Sequence, residues 1–346
     1  MKKIVLILLS IALLFCGCGN NADSEEPTPT STDNQTEDTS TSNASVSSEN
    51  QTAEEGEAYK IRVNEANVRS TPNKDSKDNV IGTLGYEEKV RLISSSYGEY
   101  SKVKLEDGQY GYVYTDFLVK EDEVLYAVLP KQTEQKKDKD GNLVYEEDGV
   151  TPVMLTNNLV DVRLYVPSAD ISLIFATDEN FTGKVLYKKA VPLLQLGTAK
   201  KLKKAADLFA ADGYTIRIYD AYRPLSVQKI LYNIRKNSSY IANPETTASN
   251  HNRGAAVDMS LLDANGNELE FPTEIHTLNE DANRGNDSWS ETAKENVDYM
   301  TSIMKKAGFD SISSEWWHFS DTDCHDFMTT DIDFSSITMV TKDYFK

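Results

Sequence analysis

Histidine is scarce in this sequence: four occur in 346 residues, His251, His276, His318 and His325. Any that fall beside carboxylates in short motifs therefore carry weight. Cysteine is scarcer still, with Cys16 and Cys18 at the extreme N-terminus and Cys324 near the far end. That distribution excludes a disulfide framework, so stability must come from apolar cores or from a metal. A basic stripe is also missing. Lys and Arg number 36 against 55 Asp and Glu, a net charge of −19, which argues against nucleic-acid binding. Apolar residues make up 39%, enough for real cores.

One long apolar run is present, Ile4 to Phe15, behind Lys2 and Lys3. It is too short for a comfortable membrane span and reads as a secretory signal. Gly17-Cys18 at its end resembles the lipobox of bacterial lipoproteins, which implies that Cys18 becomes the lipidated first residue. Cys16 is the poorer candidate because bulky Phe15 precedes it, and plain secretion is the alternative. Residues 1–18 are thus expected to be a lipoprotein signal peptide. An acylated Cys18 cannot pair with Cys324. Residues 19–57 hold ten acids and no Lys or Arg. Rich in Ser, Thr, Asn and Glu, this segment cannot repay its ordering entropy and is expected to be a disordered acidic linker.

Residues 58–121 read as short strands such as Lys89–Ile93 and Ser101–Leu105, broken at Pro72-Asn73, Tyr97-Gly98 and Asp107-Gly108. Such spacing predicts a small all-β barrel. The phrases "ANVRSTP" and "GYVYTDFL" resemble bacterial SH3-like domains, which implies either peptidoglycan binding or a spacer role. Tyr97, Tyr100, Tyr110, Tyr112 and Tyr114 are candidates for a binding groove or for cross-strand core pairs. In the connecting segment, 122–156, "KKDKDGNLVYEEDG" faintly suggests a calcium loop. Its glycine follows Asp140 directly, whereas an EF-hand needs one at the sixth loop position, so a hairpin turning at Asp140-Gly141 is expected instead.

From 157 to 346 the texture is mixed. Leu202, Ala205, Ala206 and Phe209 recur at helical spacing and Gly213 ends the pattern. The strand "YTIRIYDAY" follows, and further helices are expected around Ser226–Lys236 and Ser290–Ala307. The predicted class is a compact α+β domain.

Within it, "SNHNRGAAVDMSLL" contains a strand in which Val257, Met259 and Leu261 alternate with Ala256, Asp258 and Ser260. A carboxylate inside a buried strand is costly unless a cation compensates it. His251 precedes the strand, across a loop containing Gly254, within reach of the same ion. Imidazole and carboxylate together suit Zn²⁺. One His and one Asp remain a weak signal alone, equally compatible with a loop and a solvated carboxylate. A second cluster, "SSEWWHFSD", sets Glu315 and His318 around Trp316 and Trp317, two of the three tryptophans. His251, Asp258 and His318 would supply three ligands with a fourth position open to water, the pattern of catalytic zinc, and Glu315 would serve as general base.

"SNHNRGAAVD" matches the pattern S-x-H-x-x-G-x-A-x-D, and "EWWH" matches E-x-W-H. Both are signatures of the zinc D,D-peptidase family that includes the D-alanyl-D-alanine dipeptidases of vancomycin resistance. "FATDENFTGK" and "DAYRP" resemble the same dipeptidase branch, in the same order along the chain. The resemblance implies His251, Asp258 and His318 as zinc ligands, Glu315 as catalytic base and Arg223 as oxyanion stabiliser. For Arg223 the alternative is a structural ion pair with Asp220. Ser249 would line the substrate site or cap a turn. The implied fold is α+β, hedgehog-like, with a central antiparallel sheet carrying the metal.

Two departures bear on specificity. The branch holds the substrate's free amino group partly through an aspartate, where "FPTEIHTLNED" aligns His276; Glu274, Glu280 and Asp281 are possible substitutes. Phe175 stands where the branch often has tyrosine. His276 and Phe175 are therefore read as substrate-pocket residues, and the adjacent Cys324 and His325 as a loop. The expected activity is extracytoplasmic, zinc-dependent hydrolysis of D-Ala-D-Ala-type peptides, most like a dipeptidase. Alternatives are a D,D- or L,D-carboxypeptidase or endopeptidase on peptidoglycan stems, and a non-catalytic wall-binding lipoprotein. The last predicts a lost ligand or base, and none is lost.

Overall fold

Alternating side chains in the first described strands bury one face and leave the other wet, as a small sheet requires. The computed structural model describes residues 56–189, 191–236 and 239–346. The signal segment, Cys18 and almost all of the acidic linker lie outside the described residues. Strands β1 (Glu57–Ile61), β2 (Glu65–Arg69), β3 (Val80–Gly85), β4 (Lys89–Tyr97), β5 (Tyr100–Lys104), β6 (Tyr110–Tyr114) and β7 (Leu118–Lys120) form one antiparallel sheet in the order β3-β2-β6-β5-β4-β1-β7. It encloses Ile61, Ala66, Val68, Val90, Val103, Val113 and Leu118. Four of the five tyrosines are spent on edge-to-face pairs, Tyr97 with Tyr112 at 5.0 Å and Tyr100 with Tyr114 at 5.7 Å. Tyr110 stands outside these pairs and is the most exposed of the five, with Lys102 and Lys104 over its ring.

The connecting segment contributes β8 (Tyr126–Val128), β9 (Gln132–Gln135) and β10 (Met154–Asn157), the last two paired antiparallel. Between them the chain reverses at Asp140-Gly141. Gly141 takes φ 87° there, and the Asp138 carboxylate accepts the backbone N–H of Asp140 and of Asn142, both at 2.9 Å. That carboxylate is closing a turn, as a hairpin needs.

Beyond it come β11 (Leu159–Asp161), β12 (Asp170–Ile171), β13 (Leu193–Gln195), α1 (Leu196–Ala211), β14 (Thr215–Asp220), α2 (Leu225–Ile234), β15 (Ala256–Leu262), α3 (Glu291–Ala307), β16 (Phe309–Ser311), β17 (His318–Asp321) and β18 (Thr338–Val340). Helix α1 buries Ala199, Leu202, Ala205 and Phe209, while Ala206 is only half-buried at the edge of the stripe. Each fully buried leucine or phenylalanine contributes about 1.5–3 kcal/mol relative to exposure. Helix α3 begins where Ser290 accepts the Ala293 N–H and ends at Gly308, φ 102°.

The central sheet runs β12-β14-β15-β17-β16. It is antiparallel from β14 to β16, but β12 lies parallel to β14, a departure from the wholly antiparallel expectation. Helix α1 intervenes between those two strands, and such a crossover returns the chain in the same direction. Strand β15 is central and buried along its whole length, so Asp258 lies deep in the domain.

Candidate metal centre

Strand register assembles the site. Asp258 on β15 is paired with Asp220 on β14 and with His318 on β17. Residues directly opposite in adjacent strands project to the same face, so three ionisable side chains stand abreast. His251 arrives from a single tight turn, Asn250–Arg253. Ser249 caps that turn by accepting the His251 N–H, and Asn252 accepts the Ser249 N–H at 2.8 Å. The turn closes at Gly254 with φ 63°, where a Cβ would fall 2.3 Å from Leu159 Cδ2. Only glycine satisfies both conditions.

Three donor atoms converge. His318 Nδ1 lies 2.9 Å from Asp258 Oδ1, His251 Nε2 lies 3.2 Å from the same oxygen, and the two nitrogens are 3.1 Å apart. Tetrahedral zinc with bonds of about 2.0–2.1 Å separates its ligand atoms by roughly 3.3 Å, so this triangle fits one face of the tetrahedron. His251 Nδ1 donates to the Ala221 carbonyl at 2.7 Å, which leaves Nε2 as the lone-pair atom. His318 Nε2 meets Ser320 Oγ at 2.9 Å, and Asn250 also donates to that hydroxyl. Nε2 can thus carry the proton and free Nδ1 for the ion.

The other carboxylate oxygen, Asp258 Oδ2, accepts from His276 Nε2 at 3.0 Å and faces Arg223 Nη2 at 3.8 Å. Burial works to raise the Asp258 pKa, but His251, His276 and His318 hold it well below the usual carboxylate range. His276 takes φ 58°, an uncommon backbone state for a residue with a side chain, costing of order 1 kcal/mol. Its ring stacks on Phe175 at 5.1 Å and meets the edge of Trp317.

Arg223 makes the ion pair with Asp220 and still faces the site. Its Nε and Nη2 donate to Asp220 Oδ2, and Nη1 donates to Gln228 Oε1 at 2.8 Å. Tyr187 donates to the other Asp220 oxygen at 3.0 Å. Burial alone would depress the arginine's pKa, but Asp220, Tyr187 and Asp258 together lift it above the ordinary value, so the charge is permanent.

Glu315 Oε2 stands 3.9 Å from His318 Nδ1, the ring atom that also faces Asp258 and His251. Burial raises its pKa to about 7, and Asp258 adds to the effect while His318 and Arg223 oppose it. Trp316 stacks flat on Phe271 at 4.4 Å, and both tryptophans are fully buried. Arg284 holds the segment from behind, donating to the carbonyls of Glu315 and Trp316 and to Thr301 Oγ1.

These groups line a cleft of about 330 Å³ that also includes Phe175, Ser249 and His276. All the residues expected at the site are therefore brought together. Glu274, Glu280 and Asp281, the offered substitutes for His276, are exposed and stay outside the cleft. Cys324 is buried in a short turn, and exposed His325 reaches the cleft rim, which its loop position had not suggested. Asp220 holds Arg223 in the ion pair offered as the alternative, while Gln228, Ser320 and Arg284 were overlooked as supports. Ser320 was legible two residues beyond His318 on the same strand face; nothing in sequence pointed to Arg284.

A two-His, one-Asp triangle beside a buried carboxylate has the donor set of a catalytic metal site. The family profile described as D-ala-D-ala dipeptidase matches residues 155–337, and that of the bacterial SH3 domain matches 64–119. The D-alanyl-D-alanine dipeptidase of Escherichia coli is 35% identical over 164 residues, covering 47% of this chain and 84% of that protein. That of Enterococcus faecium is 28% identical over 166 residues, covering 42% and 82%. A solved structure of a vancomycin-resistance D,D-pentapeptidase mutant with Zn(II) aligns over 40% of this chain and 82% of its own, at 17% identity and TM-score 0.26. The chain belongs to the D-Ala-D-Ala dipeptidase family and is a zinc metallopeptidase.

Proposed function

We propose that this protein hydrolyses D-Ala-D-Ala-type peptides outside the cytoplasm, most like a D-alanyl-D-alanine dipeptidase, with His251, Asp258 and His318 as zinc ligands. The observation that carries this reading is the convergence of those donors within 2.9–3.2 Å of one another, with Glu315 beside them. Zinc bound there supplies a Lewis acid for the scissile carbonyl and lowers the pKa of a coordinated water. Glu315 takes the proton from the attacking water at its carboxylate and returns it to the leaving amine. Arg223 donates to the developing oxyanion from the N–H groups that Asp220 and Gln228 leave free. Its fork is already fixed by those two partners, so little ordering is needed at the moment of reaction. Trp316 and Trp317 form a dry wall that strengthens these interactions.

Secretion with lipid attachment at Cys18 is part of this proposal, and would hold the enzyme at the outer face of a membrane. Among the described residues no helix is long and apolar enough to cross a membrane. The match to the bacterial SH3 profile and the exposed Tyr110 with its two lysines support a wall-contacting role for the β domain.

Glu315→Ala is the test. It should keep one zinc per chain and lose activity on D-Ala-D-Ala by about 100- to 10,000-fold, the usual worth of a positioned base. Undiminished hydrolysis in the variant would refute the assignment.

A further inference from the structure

The charges lining the cleft bear on which peptide nitrogen it accepts, an inference that rests on the proposed hydrolysis of D-Ala-D-Ala bonds. Its acidic side chains are Asp258 and Glu315. One is committed to the metal and the other to proton transfer. The three further acids of the neighbouring loop, Glu274, Glu280 and Asp281, are exposed and remain outside. Among the described residues, then, no carboxylate is left in the cleft to pair with a substrate α-ammonium.

What the cleft offers instead is His276. Its Nε2 faces a carboxylate oxygen, which can only accept, so Nε2 carries the proton and donates. In that tautomer Nδ1 is a lone-pair acceptor. This atom is buried and has no partner, in a side chain more than nine-tenths buried that lines the cleft. An unpaired buried acceptor is costly and calls for a donor from a ligand. The ring cannot turn freely to find another, because Phe175 stacks on one face and Trp317 meets its edge.

We infer that His276 is a specificity-determining residue that accepts an N–H from the substrate's penultimate residue, and that the cleft takes N-acylated D-Ala-D-Ala as well as the free dipeptide. A ring nitrogen accepts equally from an amide or an amine. With no anionic partner for a charged amine, acylation strands no buried charge, and that electrostatic selection against an acyl group is lost. The cleft also has a way out for the acyl chain, since its rim includes exposed Thr247, Ile312 and His325. In the reaction, water adds across the bond between the two alanines. The acyl-D-alanine keeps the new carboxylate and free D-alanine leaves with the amine.

The experiment measures D-alanine release by the zinc-loaded full chain from D-Ala-D-Ala and from N-acetyl-D-Ala-D-Ala side by side. Values of kcat/KM within about tenfold of each other are expected, a difference of about 1.4 kcal/mol. Cleavage of the free dipeptide with the acetylated one more than about 100-fold slower, about 2.7 kcal/mol, overturns this inference and leaves the proposed function standing. Inertness toward both sinks the proposed function, and the inference with it. His276→Lys supplies the second readout. Lysine can still donate to Asp258 but carries no acceptor, so zinc content should hold. KM should rise about tenfold for both substrates, the worth of one hydrogen bond, with kcat little changed. An unaltered KM would deny His276 the role.

Discussion

At the scale of single residues, the site depends on buried polar side chains held in place by specific partners. Arg223 shows this best. Its fork is divided between Asp220, Gln228 and the cleft, a geometry that a lysine cannot reproduce. Arg223→Lys should therefore retain zinc and the fold yet lower kcat by about 100- to 1,000-fold, the range for removing one oxyanion donor. Steady-state kinetics beside metal analysis would check it, and an unchanged kcat would reduce the arginine to a structural ion pair. The residues that sequence singled out were those whose chemistry conflicts with their surroundings. A carboxylate in a buried strand and a scarce histidine set just before it, across a loop containing Gly254, are visible as anomalies. Supports such as Arg284 and Gln228 were not visible, because a polar residue in a polar stretch announces nothing until folding shows where it points.

At the scale of elements, β15 and the turn before it do most of the placement. Register alone sets Asp258 beside His318, while His251 depends on the chain reversing within one turn. Gly254 makes that reversal, with φ 63° and with Leu159 filling the space a Cβ would need. Gly254→Ala should destabilise the metal-free protein by roughly 2–4 kcal/mol, combining a left-handed backbone cost with overpacking. Zinc should also bind more weakly, since His251 would lose its alignment. Urea unfolding and chelator competition measure the two effects, and a neutral result on both would contradict this account of the turn. Long elements were readable for a related reason. Helices α1 and α3 span 16 and 17 residues, enough for their apolar period to show. The parallel edge strand β12 is two residues long, too short to carry any period, and its direction follows from the α1 crossover.

At the scale of the whole molecule, the β domain and the peptidase domain touch through the segment leading into β18. Asn64 donates to the Ser335 carbonyl, and Lys189 donates to the Ile337 carbonyl at 3.0 Å while lying over the Tyr86 ring. The dipeptidase profile covers residues 155–337 and leaves the β domain outside it. The peptidase domain is proposed to hold zinc through two imidazoles and one carboxylate. X-ray absorption at the zinc edge, on the full chain purified without chelators, tests this most directly. The prediction is one zinc per chain with two histidine nitrogens and one carboxylate oxygen among its ligands, and an absorption spectrum that loses the site in Asp258→Asn. A chain that carries no metal and takes up none from added zinc would contradict it.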